Sequence, residues 1–361
     1  MSILETNRDR TVQGSLASAA RPFISVVMPV RNEASAIGST LNALLRQSYA
    51  LDRFEIIVVD GESTDRTREI VQGFIDESGS VRLLANPRRW SSAARNLGIQ
   101  AARGEILLIV DGHCEIGSDR YLDELAWTFE RTSADCLGRP QPLETSQPST
   151  LQRAIGIARA SRLGHHPASH VFSKREQVVP AHSVAVAYRR TVFDRVGLFD
   201  ESFDACEDVE LNHRIDRAGM RCVFVPALRV GYHPRATLAR LFQQMSRYGR
   251  GRMRLLRKHP ETFSPLGFVP ALFLLFVLVG ALLTPWSRSA TWLLATGVAS
   301  YGLVVVGFSA GLAIRNRCWK ELPLLPAVFM TLHVGAGMGV LLELIRPTRR
   351  SAEDVTRHES S

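Results

Sequence analysis

The chain has 361 residues, 45% of them hydrophobic and 22% charged, with a formal net charge of +9 and a pI near 9.8. This length allows one sizeable α/β domain with an appendage. A basic balance suits nucleic-acid binding, but no nucleic-acid motif accompanies it, so nucleic acid is excluded as a partner. Five scattered cysteines without a CxxC pair exclude a disulfide-based fold and indicate a reduced compartment.

The composition divides the chain into five segments. Residues 1–20 are polar without a hydrophobic run, which predicts a disordered leader rather than a signal peptide. Residues 21–234 mix charged and apolar residues as a soluble domain does. A basic segment, 235–262, then leads into an apolar region, 263–346, that we interpret as transmembrane. Residues 347–361 form a polar tail.

Four short apolar runs in the first half are predicted to be strands: 23–30, 54–59, 81–84 and 105–110. Helices are predicted between them: Asn32 is the candidate cap of the first, Thr64 or Asp65 caps the second, and Ser91 or Ser92 opens the third. Strands and helices that alternate with short links predict a mostly parallel sheet covered on both faces. Ligands bind such sheets outside the carboxyl ends of the strands, where Asp60 and Asp111 stand.

The second half of the soluble part is less regular. Residues 146–172 are predicted to be helical or irregular, and residues 177–188 to return as a strand. Two helices are expected near 191–196 and 208–218, and one more strand at 222–225.

Three apolar segments, 266–283, 291–314 and 322–345, are each long enough to cross a bilayer core of about 30 Å. Basic residues flank them on both sides of the first two spans: the segment 235–258, then Arg315, Arg317 and Lys320. This pattern predicts that the first span starts, and the second ends, in the cytoplasm.

A third span would carry basic residues to the outside: Arg346, Arg349 and Arg350. The positive-inside tendency disfavours that arrangement. A re-entrant third segment, broken at Pro326 or in HVGAGMG, would avoid it. The sequence leaves both alternatives open.

Acidic residues follow the predicted strands and precede one helix. Asp60 opens a turn and is either a turn acid or a contact for a nucleotide base or ribose. Asp111 and His113 could ligate a divalent metal that bridges a diphosphate. Glu207 and Asp208 either complement a helix dipole or include a general base for an acceptor hydroxyl.

Five segments, in this order, resemble the inverting glycosyltransferases of family 2, which have a GT-A fold: VVMPVRNEASAIGSTLNALLRQSY, VVDGESTDRT, AARNLGIQAARGEILLIVDGH, VGLFDESFDACEDVELNHRIDRAG and QMSRY. The resemblance covers about residues 23–257 and extends to the succinoglycan type of exopolysaccharide glycosyltransferase, where a basic stretch also leads into membrane segments. Gly61 and His113 depart from the family pattern, since each stands where relatives have Asp.

The resemblance implies a role for each matching residue. The donor would be bound by Glu33, Asp60, Arg95 and Asp111. A divalent metal, Mg²⁺ or Mn²⁺, would be held by Asp111, His113 and His233. Asp208 would be the catalytic base, with Glu207 beside it. The acceptor or diphosphate end would be lined by Gln244, Arg247 and Tyr248.

The implied activity is an inverting transfer from a nucleotide-diphosphate sugar, expected to be a UDP-sugar, to a hydroxyl of a lipid-linked or growing saccharide. It would serve exopolysaccharide or cell-surface glycan synthesis, in a multi-pass protein of the inner (plasma) membrane with a cytoplasmic catalytic domain. One alternative is a polyprenyl-phosphate sugar synthase, although the Glu207–Asp208 pair favours a hydroxyl acceptor. The other is a catalytically inactive nucleotide-sugar-binding scaffold, against which the intact Asp60, Asp111 and Asp208 argue.

Overall fold

The computed structural model describes residues 21–143, 148–165, 170–171 and 173–346, so the predicted leader and tail lie outside the described residues. The strands within these ranges are β1 (Ile24–Val30), β2 (Phe54–Asp60), β3 (Val81–Ala85), β4 (Ile106–Ile109), β5 (Cys114–Glu115), β6 (Cys136–Gly138), β7 (Gln177–Val178), β8 (Ala185–Arg189), β9 (Cys222–Phe224) and β10 (Gly231–Tyr232). The helices before the apolar segments are α1 (Ile37–Leu45), α2 (Thr67–Glu77), α3 (Ser91–Ala101), α4 (Tyr121–Thr132), α5 (Thr150–Arg159), α6 (Arg190–Val196), α7 (Glu207–Arg217) and α8 (Leu238–Lys258). The apolar segments form α9 (Pro265–Leu283), α10 (Arg288–Asn316) and α11 (Leu325–Leu344).

An eight-stranded sheet organises the domain, in the order β3-β2-β1-β4-β8-β6-β9-β7. The strands β3, β2, β1 and β4 are mutually parallel, as predicted. Antiparallel β8 separates this half from the parallel pair β6 and β9, and β7 closes the edge antiparallel to β9. A separate antiparallel pair joins β5 to β10. The predicted mostly parallel sheet is therefore confirmed.

Helices cover both faces of this sheet because the central strands are apolar on both sides. On one face Met28 and Val58 pack with Leu41 of α1 in one core cluster. On the other face Val27 packs with Ile99 of α3 in a second cluster. Strands buried on both faces read as unbroken apolar runs, which is why they could be recognised from sequence. Their carboxyl ends meet at one edge of the sheet.

Neither predicted cap occupies the N-cap position of its helix. Helix α1 starts at Ile37 after Ala36, and Asn32 lies earlier with a left-handed φ of 57°. The Asn32 side chain instead accepts a hydrogen bond from the Thr64 amide at 2.8 Å, so it joins two loops rather than capping a helix. Helix α2 is preceded by Arg66, and Asp65, one residue earlier, accepts a hydrogen bond from the amide of Thr67, the first helical residue, at 3.0 Å. Helix α3 does open at Ser91, as predicted.

The predicted strand over 177–188 is two strands, β7 and β8, separated by a 3₁₀ turn at Ala181–Ser183. Asp216 of α7 accepts hydrogen bonds from the backbone amides of Ala181 and His182, at 2.6 and 3.1 Å. These amides are therefore not available to a strand ladder, and the chain turns. Helix α4, strand β6 and the β5–β10 pair were not predicted.

The basic segment is an amphipathic helix, α8, whose 21 residues begin after Thr237 as a side-chain cap. Arg254 near its C-terminal end contacts two acids. One is Asp204, in the loop before α7, and the other is Glu343 at the end of α11, whose Oε1 lies 2.9 Å from Arg254 Nε. This helix thus packs between the soluble domain and the apolar helices.

Each apolar helix is long and apolar enough to cross a membrane: 18-residue stretches of α9, α10 and α11 have mean hydropathies of 2.7, 1.8 and 1.7. Helix α11 is unbroken, because Pro326 sits in its first turn, where a proline is tolerated. Its glycines permit close packing on α8: a Cβ atom on Gly339 would collide with the carbonyl oxygen of Ser246. Of the two alternatives left open by the sequence, a third segment broken at Pro326 or in HVGAGMG is therefore not observed.

Candidate active site

The loops that follow β1 and β2 are tied together at the carboxyl edge of the sheet. The Asn32 amide donates to Ser63 Oγ at 2.9 Å, and the Glu33 amide donates to Thr67 Oγ1 at 2.8 Å. Because these bonds join the two loops directly, Glu33 has a fixed position beside the turn that carries Asp60.

Asp60 is 3% exposed, and its carboxylate accepts from the Ser63 amide at 3.1 and 3.3 Å. Arg68 Nε of α2 lies 3.7 Å from its Oδ2. Asp60 and Arg68 line a cavity of about 460 Å³ between α2 and β3. That volume is within the range of small-ligand sites. The turn acid is therefore part of a pocket that could take a base or a ribose.

Asp111, predicted to bind metal and diphosphate, is held by a residue that was not predicted. The pairing of β5 with β10 sets Tyr232 opposite Cys114, and the Tyr232 hydroxyl donates to Asp111 Oδ2 at 3.0 Å. His113 packs edge-on against the Tyr232 ring, with centroids 5.8 Å apart. Sequence analysis singled out His233, which follows Tyr232 in Tyr-His-Pro, but not Tyr232 itself.

His113 pairs with Glu33, whose Oε1 lies 2.9 Å from His113 Nδ1. Burial lowers the pKa of His113, but the Glu33 hydrogen bond and the negative charge of Asp111 outweigh it, so the pKa is raised overall. The structure thus brings Glu33, Asp111 and His113 into one group.

His233 is placed differently from the other predicted metal ligands. Its Nε2 lies 3.1 Å from Glu115 Oε1, and the side chain is more than a third exposed. Among the described residues, the ligand atoms of Asp111, His113 and His233 do not all come within 4.8 Å of one another. His233 follows the strand that contacts Asp111 but is engaged by a different carboxylate.

Arg95 of α3 lies between Asp111, at the carboxyl edge of the sheet, and the acidic pair at the start of α7. Its Nη1 lies 2.9 Å from Glu207 Oε1, and its Nη2 lies 3.9 Å from Asp111 Oδ1. The guanidinium also lies over the Phe199 ring, 5.3 Å from its centroid. Burial lowers the Arg95 pKa, but the charges of Glu207, Asp111 and Asp208 raise it well above its usual value. Arg95 therefore stays charged between two carboxylates.

Glu207 and Asp208 occupy contrasting environments although they are neighbours. Glu207 is buried, and this burial together with the Asp208 charge raises its pKa, against the opposing effect of Arg95. Asp208 is exposed, and its Oδ1 accepts from the Val209 amide at 2.9 Å. The residue before α7, Cys206, has no side-chain cap, so neither acid occupies the capping position.

The predicted acceptor residues lie on one stretch of α8. Gln244 Nε2 donates to the Tyr248 hydroxyl at 3.3 Å, and Arg247 Nη2 donates to the Asp204 carbonyl at 2.6 Å. A Cβ atom on Gly251 would collide with the Ala205 carbonyl, so only glycine allows this close approach. Helix α8 is consequently held against the loop that leads into Glu207 and Asp208.

Two family models match the chain: glycosyl transferase family 2 over residues 25–197, and glycosyl transferase family group 2 over residues 119–308. The succinoglycan biosynthesis protein ExoA of Rhizobium meliloti (strain 1021) is 32% identical over 337 residues, which is 91% of this chain and 96% of that protein. A Methanococcus voltae protein is 24% identical over 73% of this chain and 82% of its own length; its name is dolichyl N-acetyl-alpha-D-glucosaminyl phosphate 3-beta-D-2,3-diacetamido-2,3-dideoxy-beta-D-glucuronosyltransferase.

Among solved structures, mannosyltransferase PcManGT from Pyrobaculum calidifontis, in complex with GDP-Man and Mn²⁺, superposes with a TM-score of 0.57. The two sequences are 20% identical, and the match covers 93% of each chain. This likeness confirms the predicted GT-A fold. The family models and the nearly full-length relative confirm the predicted activity class as well. The chain is a glycosyltransferase that belongs to glycosyl transferase family 2.

Proposed function

We propose that this enzyme transfers a sugar, with inversion, from a nucleotide-diphosphate donor to a hydroxyl of a lipid-linked saccharide at the membrane surface. One observation carries the proposal: Arg95 lies between Asp111 and Glu207. A residue expected at the donor diphosphate and a residue of the base motif are therefore parts of one site.

The donor site is proposed to run from the cavity beside Asp60 to Asp111. Arg95 supports it, because its Nε is buried without a hydrogen-bond partner among the described residues. A buried donor that is left unpaired costs free energy, which a phosphate oxygen would recover. A UDP-sugar is the first candidate. PcManGT binds GDP-Man, so guanine nucleotides belong in the same test.

The residues around Asp111 fit a divalent cation. Asp111 is partly exposed and offers carboxylate oxygen, the donor type that Mg²⁺ and Mn²⁺ prefer. His113 has Nδ1 engaged by Glu33, which is the usual orientation of a metal-binding histidine whose other nitrogen is the ligand. Asp111 and His113 would hold the ion, with His233 joining only if it leaves Glu115. When bound, the ion would neutralise charge on the leaving diphosphate.

Asp208 is proposed as the general base. Its exposed carboxylate can meet an acceptor hydroxyl, whereas Glu207 is buried against Arg95. In the transfer, the acceptor oxygen forms a bond to the anomeric carbon as its proton passes to Asp208. The bond from that carbon to the phosphate oxygen breaks, and its electron pair leaves with the nucleoside diphosphate. Glu207 acts through Arg95 as a positioning residue.

The acceptor is proposed to approach along α8, past Gln244, Arg247 and Tyr248. Support comes from the attachment of this helix to the loop before Asp208 and from its contact with α11. The name of the Methanococcus relative specifies a lipid-linked sugar as acceptor, and ExoA is named for succinoglycan biosynthesis. These likenesses favour a saccharide on a lipid carrier over a free sugar.

The membrane arrangement is proposed to be a hairpin of two spans, α9 and α10, plus a surface helix, α11. One end of α11 contacts the soluble domain, and the other contacts α8, which Arg254 joins to Asp204 of that domain. Glu321, just before it, pairs with Arg153 of α5 at 2.6 Å. Glu343, at its end, pairs with Arg254 at 2.9 Å. A helix fixed at both ends on one side does not cross the bilayer, and Arg346 then stays in the cytoplasm, as positive charges prefer.

The test is transfer by the full-length protein in membranes, supplied with radiolabelled nucleotide sugars and followed by extraction of lipid-linked product. Asp208→Asn should lower the rate by about 10²–10⁴-fold, the usual effect of losing a general base, and leave donor binding intact. Glu207→Gln should have a smaller effect. If Asp208→Asn transfers at a near-normal rate and Glu207→Gln is inactive, then Glu207 is the base and Asp208 the positioning residue. If both variants transfer normally, the base is another residue.

A further inference from the structure

Outside the proposed active site, two histidines and a glutamate meet between α7 and the start of the membrane region. The ligand atoms of His213, His259 and Glu261 all lie within 4.8 Å of one another. His213 Nε2 is 3.0 Å from Glu261 Oε1, and His259 Nδ1 is 3.8 Å from the same oxygen. The two imidazole rings are 4.7 Å apart, and both histidine side chains are largely buried.

A second contact fixes the orientation of His259. Its Nε2 lies 3.0 Å from Oε1 of Glu210, a fully buried carboxylate that also pairs with Arg214 and Lys258. Glu210 thereby engages Nε2 of His259, and Nδ1 is the ring nitrogen that faces the Glu261 carboxylate, at 3.8 Å. Nδ1 is therefore the nitrogen that a cation between His259 and Glu261 would bind.

We propose that His213, His259 and Glu261 bind a divalent transition-metal ion of the zinc class. Two imidazoles and one carboxylate are a common zinc set, with water as the fourth ligand. Ligand atoms about 2.0–2.1 Å from a tetrahedral ion are about 3.3 Å apart, and the observed 3.0 and 3.8 Å bracket this separation. Glu210 supplies the outer carboxylate that usually orients a metal-binding histidine.

The Arg217 guanidinium would compete with the proposed metal ion for the Glu261 carboxylate. Its Nη1 lies 3.2 Å from Glu261 Oε1, but the side chain is 65% exposed and free to move aside. The exposed guanidinium gains little from this pair in water. A metal held by two buried imidazoles would displace it.

Such an ion would connect two parts of the enzyme. His213 belongs to α7, the helix that begins at Glu207 and Asp208, whereas His259 and Glu261 lie between α8 and α9. The bound ion would therefore fix the helix of the proposed base to the point where the chain enters the membrane. The ion would act by linking these elements and is separate from the cation proposed at Asp111.

The experiment uses the full-length Asp111→Asn protein in detergent, so that the proposed catalytic cation does not contribute. Zn²⁺ or Co²⁺ alone is added, and binding is followed by equilibrium dialysis and by the visible spectrum of Co²⁺. One ion per chain should bind, with a tetrahedral Co²⁺ spectrum, and Zn²⁺ should raise Tm. Glu261→Gln and His213→Gln should each weaken binding at least about tenfold and reduce the rise in Tm.

His182→Gln is the matched control, because His182 also pairs with a carboxylate, Asp216, outside the cluster. It should bind Zn²⁺ as the parent does. Glu261 is exposed, so Glu261→Gln tests the site without disturbing the core, and its metal-free Tm shows whether it folds. Absence of binding, or equal binding by Glu261→Gln and His182→Gln, would overturn the proposal without affecting the proposed transfer reaction.

Discussion

Arg95 of α3 and Glu207 of α7 form a buried ion pair, with Nη1 2.9 Å from Oε1. Removal of one partner leaves the other charge uncompensated, so Arg95→Gln and Glu207→Gln should each lower the free energy of unfolding by about 3–5 kcal/mol. The double substitution should cost less than the two single ones together, by about 1–3 kcal/mol. Denaturant titration of the four proteins in detergent measures this coupling, and additive losses would contradict it.

Donor binding should depend on Asp111. Asn at this position can still accept the Tyr232 hydroxyl, so Asp111→Asn should keep its fold and its Tm. It supplies one neutral oxygen to a cation in place of a carboxylate, so calorimetry should show the loss of metal-dependent nucleotide-sugar binding. His233→Gln is the comparison, and we expect a smaller effect because His233 is engaged by Glu115. Unchanged donor affinity in Asp111→Asn would contradict the metal role.

The contact of α8 with α11 should matter for acceptors on a lipid. A methyl group at Gly339 collides with the Ser246 carbonyl, so Gly339→Ala should separate the two helices. Transfer to lipid-linked acceptor should fall while donor binding stays normal. Gly302→Ala on the neighbouring α10 is the control, since nothing lies within 4 Å of that added methyl. Equal activity of the two variants would show that the helix contact is dispensable.

Membrane topology can be measured with single cysteines, because the five native cysteines are buried. Three exposed residues mark the ends of the apolar helices: Trp286, Trp319 and Ile345. An impermeant maleimide should label Trp286→Cys in intact cells and should label Trp319→Cys only after permeabilisation. Ile345→Cys should also require permeabilisation if α11 is a surface helix. Labelling of Ile345→Cys in intact cells would establish a third span.

Glu55 should make the domain sensitive to acid. It is buried and accepts hydrogen bonds from Ser25 Oγ and the Arg103 amide, both at 2.7 Å. Burial raises its pKa, but these bonds and the charges of Arg82 and Arg103 outweigh burial and lower the pKa below 4.5. The ionised form therefore stabilises the fold above about pH 4.5, and this contribution is lost as the pH falls through the lowered value.

Glu55→Gln should consequently be less stable than the parent at pH 7, by about 1–3 kcal/mol, and should lose less stability between pH 6 and pH 3. Thermal melts of both proteins across this range measure the difference. Parallel pH profiles would show that Glu55 is not the linked group.

The central strands and the two faces of the sheet could be predicted because apolar runs report burial directly. Short elements with few residues, such as β5 and β10, carry no such periodicity, and they position Tyr232 against Asp111. The same limit applied to the caps: Asn32 looks like a cap, but its side chain binds the Thr64 amide. A local pattern does not report which distant backbone group competes for a side chain.

The sequence was sufficient to place the candidate acids at the ends of strands and helices. It was not sufficient to predict which side chains they contact or how deeply each is buried. Arg95 was expected at the donor only by resemblance, and its pairing with Glu207 depends on how α3 packs beside α7. The contrast between buried Glu207 and exposed Asp208 has the same origin. Successive residues of a helix point about 100° apart, so the packing of α7 decides that Glu207 is buried and Asp208 exposed.

On the proposed arrangement, helix α8 holds the proposed acceptor site at a fixed distance from the bilayer. Tyr248, proposed to meet the acceptor, is followed directly by Gly249, whose missing side chain lets α8 pack against Ala336 of α11. On the proposed arrangement, the proposed acceptor end of the site could not move away from the bilayer without unpacking these helices. A saccharide that has grown outward by several sugars would present its free end above this level. The enzyme would therefore select acceptors by length. The free end of a short lipid-linked acceptor reaches the site, and the free end of a long acceptor does not.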